Sequence, residues 1–211
     1  MTRGRFISFE GGEGAGKSTQ VRRLAERLRA RGGEVVTTRE PGGSPGAEAI
    51  RALLVDGPVE RWSPISETLL MYAARRDHIE RVIAPALARG AWVVCDRFFD
   101  STRAYQGAAG GAPAGLLRAL EADVVDGFVP DLTLILDLPV DVGLGRAAGR
   151  GQGEGRFETK GAAFHERLRA AFVQLAADEP ERCRLVDANA DMDAVAERIA
   201  AAVDARWPAD G

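Results

Sequence analysis

The sequence has few cysteines and no long apolar segment, and each shortage excludes a class of protein. The 211 residues include only Cys95 and Cys183, which are far apart and form neither a CxxC motif nor a metal-binding spacing. They are expected to be buried thiols in a reducing compartment. No apolar run approaches the ~18 residues of a transmembrane helix, and the N-terminal residues lack the apolar segment of a secretion signal. We therefore predict a cytoplasmic protein that does not enter a membrane.

The chain also lacks a large excess of charge of either sign. Its net charge is −3 and its pI is about 5.6, so it has no general basic character with which to bind a polyanion. Nucleic acid is not expected as a partner. No internal repeat of solenoid length is present. The length suits a single domain, residues 1–211, with its own hydrophobic core.

Short β-branched runs alternate with longer stretches of helical spacing. The strand-like runs are "RFISFE", "EVVTT", "AWVVCD", "LTLILD" and "CRLVDA". The helical stretches between them include residues 19–31, 47–54 and 66–88. Gly32-Gly33 is expected to end the first helix and Gly90 the long central one. This alternation predicts an α/β fold with a parallel five-stranded sheet covered by helices on both faces.

Residues 9–19, "FEGGEGAGKST", fit the phosphate-loop motif GxxxxGK[ST] in the context that the motif requires. They follow the apolar run "FISF" and open an amphipathic helix. Backbone N–H groups and a helix N-terminus would surround the phosphates, Lys17 would reach the β- and γ-phosphates, and the Ser18 hydroxyl would bind Mg²⁺. The residues expected to contact ATP are Gly11, Gly12, Glu13, Gly14, Ala15, Gly16, Lys17, Ser18 and Thr19.

Lysine is almost absent elsewhere, which strengthens this interpretation. Of the 28 basic residues only Lys17 and Lys160 are lysines. A compact ammonium fits inside a phosphate loop where a planar guanidinium does not. The motif therefore predicts binding of a nucleoside triphosphate, without indicating what receives the phosphate.

The dipeptide Asp96-Arg97 suggests a second phosphate near the first. It ends the strand-like run "VVCD", at the edge where ligands bind in open α/β sheets. Asp96 could hold a metal ion or orient an acceptor, and the Arg97 fork matches a phosphate. Asp137, which ends "LTLILD", is the alternative metal-side carboxylate and ranks lower because no arginine is expected to accompany it.

Further motifs give the chain a family resemblance along its whole length. They are the phosphate loop, "TREPGGS", "YAARRDH", "CDRFFDSTRAYQG", "PDLTLILD", "GRFE" and "FHERLRAAF". With these motifs the chain resembles the bacterial thymidylate kinases, which phosphorylate dTMP with ATP. The resemblance implies the nucleoside-monophosphate-kinase version of the phosphate-loop fold, dependence on Mg²⁺, a homodimer, and a role in dTTP biosynthesis.

The resemblance also assigns an acceptor site. Arg97 and Arg51 would bind the dTMP phosphate, and Tyr105 would press on the 2′ position of the sugar and disfavour ribonucleotides. Met71 stands where the family usually has the phenylalanine that stacks on thymine. The residues expected to bind dTMP are Arg51, Met71, Arg75, Arg97, Thr102, Tyr105 and Gln106. Without the family, Arg75 and Arg76 would be taken for surface residues of a helix and Tyr105 for a core residue.

Two features of the resemblance concern the transfer step. Glu13 occupies a position where the family has an acidic residue that faces the acceptor nucleotide. The alternative is that the Glu13 side chain points to solvent. Some relatives follow it with an arginine that supplies charge, but here that residue is Gly14. The glycine-rich segment of about 145–160 is therefore expected to be a lid that supplies the charge, although Gly155 replaces the family's usual aspartate. The predicted catalytic residues are Glu13, Lys17, Asp96, Arg97, Arg146, Arg150 and Arg156.

Two other functions remain open on the motifs alone. The same fold could phosphorylate another nucleotide or a small alcohol such as shikimate, although "TREPGG" and "STRAYQG" argue against it. A phosphate-loop switch or DNA-associated ATPase is the third possibility; the acidic pI and the pair Asp96-Arg97 argue against that. Adenine contacts are only weakly indicated, with Asn189 as a candidate.

Overall fold

A computed structural model describes residues 3–149, 156–157 and 160–208. It contains the five predicted strands, all parallel, in the order β2-β3-β1-β4-β5. The strands are β1 (Phe6–Gly11), β2 (Val35–Arg39), β3 (Trp92–Asp96), β4 (Leu132–Asp137) and β5 (Cys183–Asp187). The α/β prediction, including the number of strands and their direction, is confirmed.

Nine α-helices connect and cover the strands in the described part of the chain. They are α1 (Lys17–Ala30), α2 (Pro45–Val55), α3 (Pro64–His78), α4 (Ala84–Ala88), α5 (Phe99–Thr102), α6 (Ala114–Leu120), α7 (Val140–Ala148), α8 (Ala162–Asp178) and α9 (Met192–Arg206). Gly32 and Gly90 follow α1 and α4 with positive φ angles of 83° and 85°, which confirms the predicted helix ends.

The central helical stretch is less regular than predicted. It begins at Pro64 and runs to Ala88, but a π-helical segment, Ile79–Ile83, separates α3 from α4. Pro85, in the first turn of α4, has no N–H group to donate to the preceding turn, and a widened hydrogen-bond pattern before it is the local response. The period of the apolar residues could not distinguish this interruption from a continuous helix.

Both faces of the sheet are buried against helices. On one face, α1 and α9 pack on β1 and β4, with Leu24 and Ile199 among the buried residues. On the other face, the α3–α4 region packs through residues such as Ile83, and α8 packs through Phe172. Because β1 is fully buried and central, the loop after it begins at a fixed point at the carboxyl edge of the sheet.

Candidate active site

The phosphate loop follows β1 and is shaped by left-handed glycines. Gly11, Gly14 and Gly16 have φ angles of 129°, 71° and 86°, values that residues with a Cβ rarely adopt. Lys17 is mostly buried, and its Nζ donates to the carbonyl oxygens of Gly11 at 3.1 Å and Gly12 at 2.8 Å. The ammonium is thereby held inside the loop, at the N-terminus of α1.

Gly14 is required by its surroundings as well as by its φ angle. A Cβ at this position would lie 2.0 Å from the backbone oxygen of Gly143 in α7. Backbone of α7 therefore packs directly on backbone of the phosphate loop. This contact explains why the chain has no arginine here: any side chain at residue 14 would have to push α7 away.

Ser18 and Asp96 lie together beside the loop. Asp96 ends β3, which pairs with β1 so that Asp96 is opposite Phe9. The Ser18 hydroxyl donates to Asp96 Oδ2 at 2.6 Å. A hydroxyl and a carboxylate form the hard-oxygen donor set that Mg²⁺ prefers, since Mg²⁺ usually takes one or two protein oxygens and completes its shell with water and phosphates. Among the described residues no group of three or more His, Cys, Asp or Glu is placed so that it could hold a metal ion. A site that shares the ion with substrate phosphates therefore fits Ser18 and Asp96.

Asp137, the alternative metal-side carboxylate, is already engaged. Arg169 in α8 donates to Asp137 Oδ1 at 2.7 Å and to Oδ2 at 2.9 Å. The expectation that no arginine accompanies Asp137 is therefore wrong, because Arg169 reaches it from a distant helix. The ranking itself gains support, since this bidentate pair occupies both carboxylate oxygens.

Glu13 does not point to solvent. Its side chain is 8% exposed, and Oε1 accepts hydrogen bonds from Arg97 Nη2 at 3.0 Å and from the Tyr105 hydroxyl at 2.5 Å. Burial by itself raises the pKa of a carboxyl group, but the charges of Arg97 and Lys17 and the Tyr105 hydrogen bond outweigh it and hold the pKa of Glu13 at about 2. Glu13 is an anion that faces two residues expected on the acceptor side.

Arg97 is held in an uncommon backbone conformation at this junction. Its φ angle is 69°, in the left-handed region that costs a non-glycine residue roughly 1 kcal/mol or more. The guanidinium is fixed by Gly11 O at 3.1 Å, Ser101 Oγ at 3.2 Å and the Tyr105 hydroxyl at 2.8 Å. The structure thus points a mostly buried, preorganised fork at the space next to the phosphate loop.

A cleft of about 410 Å³ opens beside Arg97, and we call it the acceptor cleft. It is mainly apolar with a few converging polar groups, as small-molecule sites usually are. The residues around it are Glu40, Pro41, Val55, Met71, Arg75, Arg97, Phe98, Ser101, Thr102, Tyr105, Gln106 and Phe157. Six of the seven residues expected to bind dTMP are among them, and the seventh, Arg51, donates to the carbonyl oxygen of Pro41 at 2.7 Å.

Arg75 is a buried residue of this cleft and not part of a solvated helix face. It is 2% exposed; its Nε donates to Glu40 Oε2 at 2.8 Å and its Nη2 to Thr102 Oγ1 at 3.0 Å. Nη1 is buried and has no hydrogen-bond partner among the residues that the structure describes. Such an atom is costly unless a ligand accepts from it. The neighbouring Arg76 is the surface residue, paired with Glu80.

The three arginines expected to serve the transfer step have different positions. Arg146 is exposed at the end of α7 and donates to the carbonyl oxygen of Ala188 at 3.3 Å. Arg150 lies outside the described residues, as does half of the segment 145–160 that is expected to form the lid. Arg156 is buried and contacts Glu67 and backbone carbonyl groups near the end of α2. A catalytic role for Arg156 requires it to exchange these partners for the transferred group, and it stays a prediction.

Sequence reasoning missed the buried acids that support the site. Glu40 holds Arg75 through one oxygen and accepts from His78 Nδ1 at 3.0 Å through the other. Glu10 accepts from the backbone N–H of Phe98 at 2.7 Å and from Ser101 Oγ at 2.5 Å. Burial, with the nearby Asp100 charge, raises the pKa of Glu10 to about 8. Glu40 belongs to the quoted "TREPGG" motif, so its position was visible although its role was not.

Comparisons with known proteins agree with this geometry. The family model described as thymidylate kinase matches residues 9–199. A thymidylate kinase of Caulobacter vibrioides is 68% identical over 199 residues, covering 94% of this chain and 95% of the relative. A thymidylate kinase of Bradyrhizobium diazoefficiens is 55% identical over 93% of this chain and 87% of its own. The crystal structure of a thymidylate kinase from Ehrlichia chaffeensis is 34% identical, with a TM-score of 0.78, 96% of this chain covered and 99% of that one.

A match over most of the chain, together with a phosphate loop that meets a preformed cleft lined by Arg97 and Arg75, has one consistent explanation. This chain belongs to the thymidylate kinase family.

Proposed function

We propose that the protein transfers the γ-phosphoryl group of ATP to dTMP, giving ADP and dTDP, with the residues described above in defined roles. The strongest support is the position of the acceptor cleft next to the phosphate loop. Arg97 lines this cleft and also donates to two residues of the loop, Glu13 and Gly11. Phosphoryl transfer depends mainly on positioning two substrates in line and on stabilising charge, and both substrates need adjacent sites.

On the donor side, residues Gly11 to Thr19 bind the triphosphate. The loop N–H groups and the α1 N-terminus attract the phosphates, and Lys17 neutralises charge on the transferred group. Ser18 and Asp96 would hold Mg²⁺, which would supply positive charge to the phosphate oxygens. Two contacts support these assignments: Lys17 donates to the carbonyl oxygen of Gly12 within the loop, and Ser18 donates to Asp96 at the edge of the sheet.

On the acceptor side, Arg97 and Arg51 bind the dTMP phosphate, and Arg75 contacts the thymine edge. Within the described part of the chain the buried Nη1 of Arg75 lacks a partner, as expected of a donor reserved for a base carbonyl. Glu13 keeps Arg97 and Tyr105 in place and faces the sugar, so its charge serves the acceptor and not ATP. Tyr105 is 6% exposed and packs edge-on against Phe157, a rigid placement that suits exclusion of a 2′-hydroxyl.

The reaction is tested by an acceptor panel with ATP and Mg²⁺, in which ADP production is followed with dTMP, dCMP, dGMP and shikimate. We expect dTMP to be used at the highest kcat/KM, because the cleft pairs a phosphate-binding arginine with a base-binding one. Equal or greater activity with another acceptor would contradict the assignment of dTMP.

Met71 is proposed to form part of the thymine platform, although the family usually has phenylalanine there. It is half-buried in the acceptor cleft and packs against the cluster that contains Tyr105 and Phe157. We expect Met71→Phe to bind dTMP equally well or up to about 10-fold more tightly, because ring stacking adds ~0.5–1.5 kcal/mol in favourable geometry. Calorimetric titration with dTMP measures this. Loss of binding in a variant that unfolds at the wild-type temperature would show that Met71 does not face the base.

We further propose a homodimer in the cytoplasm. Ile65 and Leu69 lie one turn apart on α3 and are 47% and 46% exposed, and Leu53 of α2 is 40% exposed. Exposed apolar side chains one turn apart on a helix, as Ile65 and Leu69 are, favour an interface. No helix in the described part of the chain is long and apolar enough to cross a membrane. Sedimentation measures the oligomer, and a monomer at micromolar concentration would contradict the dimer.

A further inference from the structure

Glu67 of α3 is a buried carboxylate with two separate tasks. It is 5% exposed, and its Oε2 accepts from Arg156 Nη2 while its Oε1 accepts from Gln106 Nε2 at 2.9 Å. Arg156 and Gln106 are equally buried, at 3% and 2%. One side chain thus joins Arg156 to a residue of the acceptor cleft.

Arg156 is anchored on its other sides by backbone. Its remaining donors reach, at 2.8 to 3.2 Å, the carbonyl oxygens of Leu54, Pro58 and Val59. A buried charge pair is stable only when its other hydrogen-bonding positions are also satisfied, and removing one partner is strongly destabilising. The Glu67 carboxylate is therefore fixed in position by its pair with the guanidinium.

The Glu67 carboxylate, which accepts at both oxygens, determines which way the Gln106 amide points. A carboxylate accepts hydrogen bonds and donates none, so the group that Gln106 turns to it must be the NH₂. The amide oxygen, Oε1, then faces away from Glu67, and among the described residues none donates to it. Gln106 lines the acceptor cleft together with Arg75, whose Nη1 is a donor that no described residue pairs with.

We propose that Glu67, held by Arg156, is a positioning residue that makes the acceptor cleft specific for an imide base. With Gln106 fixed as an acceptor and Arg75 as a donor, the cleft complements thymine, whose N3 donates and whose O4 accepts. Cytosine reverses both groups, because its N3 accepts and its 4-amino group donates. With a cytosine nucleotide, the acceptor of Gln106 would face the acceptor N3, and the donor of Arg75 would face the 4-amino donor. Sites built on hydrogen bonds discriminate strongly against such a mismatch.

This inference rests on the proposed dTMP kinase function and assigns Glu67 no contact with substrate. Glu67→Gln tests it, because an amide can offer either its oxygen or its NH₂ to Gln106. The Gln106 amide is then free to present either its oxygen or its NH₂ to the base. We expect the ratio of the dissociation constants for dCMP and dTMP to fall at least about 10-fold. The KM for dTMP should rise while kcat changes less, since Glu67 does not touch the reacting atoms.

Two further variants keep the test decisive. Glu60→Gln removes an exposed carboxylate from the short turn after α2 and should leave both dissociation constants unchanged. Gln106→Met removes the amide itself and should lose the same discrimination even if Glu67→Gln fails to fold. Calorimetric titration with dTMP and dCMP and thermal unfolding give the readouts.

The outcomes separate this inference from the proposed function. An unchanged dCMP-to-dTMP ratio in a folded Glu67→Gln protein overturns the inference while leaving dTMP kinase activity intact, as does an unchanged ratio in Gln106→Met. If the wild-type enzyme fails to phosphorylate dTMP, the proposed function is overturned.

Discussion

Replacing Arg97 with alanine is expected to lower kcat/KM for dTMP by at least ~10²-fold, since a charged fork aimed at a phosphate is lost. The same side chain donates to Glu13, Tyr105 and Gly11, so its removal also leaves the Glu13 anion with fewer compensating partners. The KM for ATP should change far less, because Lys17 and the loop backbone remain.

Steady-state kinetics with both substrates varied measures this effect. Arg118→Ala is the matched control, because Arg118 is an exposed arginine of α6 outside both sites. Thermal unfolding separates loss of the phosphate contact from loss of the fold. An Arg97→Ala enzyme that is folded and keeps the wild-type kcat/KM for dTMP would show that the acceptor phosphate binds elsewhere.

Replacing Arg156 with alanine is expected to cut kcat at least ~10-fold with only a modest change in ATP affinity, because arginines that stabilise the transferred group act mainly in the transition state. Gly14 supplies no charge to the transfer, so cations must come from another segment. The KM for dTMP should rise as well, because Glu67 loses the partner that holds it. Arg156→Lys should recover part of kcat, since it keeps the charge and loses the fork.

Kinetics together with calorimetric titration of ATP distinguishes the roles of Arg156. A rise in the KM for dTMP alone, with normal kcat, would leave Arg156 with the positioning role only. Normal kcat with weakened ATP binding would identify it as an ATP clamp. In either case Arg146 or Arg150 becomes the candidate for the catalytic charge.

The phosphate loop and the strands were predictable because their signals are local. The glycines, Lys17 and Ser18 occupy fixed spacings between an apolar strand and an amphipathic helix, and the structure keeps that order. The sheet edge that brings Asp96 beside Ser18 follows from parallel pairing of β1 and β3. Both results need only short segments and the rules of parallel sheets.

The charge pairs that link distant segments could not be predicted in this way. Asp137 and Arg169 are 32 residues apart, and nothing in either segment indicates that they meet. Arg75 and Arg76 are adjacent on one helix, yet one is buried in the cleft and the other is at the surface. Only tertiary packing determines which arginine is buried and which is exposed, because a sequence rich in arginine and acidic residues allows many pairings.

Direct detection of the products tests the central assignment most simply. The wild-type protein is incubated with ATP, Mg²⁺ and dTMP, and dTDP and ADP are quantified by chromatography over time. Transfer of the phosphoryl group to dTMP predicts equal amounts of dTDP and ADP, with negligible ADP when dTMP is omitted. ADP formed without dTDP, at a rate independent of dTMP, would contradict the account and identify an ATP hydrolase on the same fold.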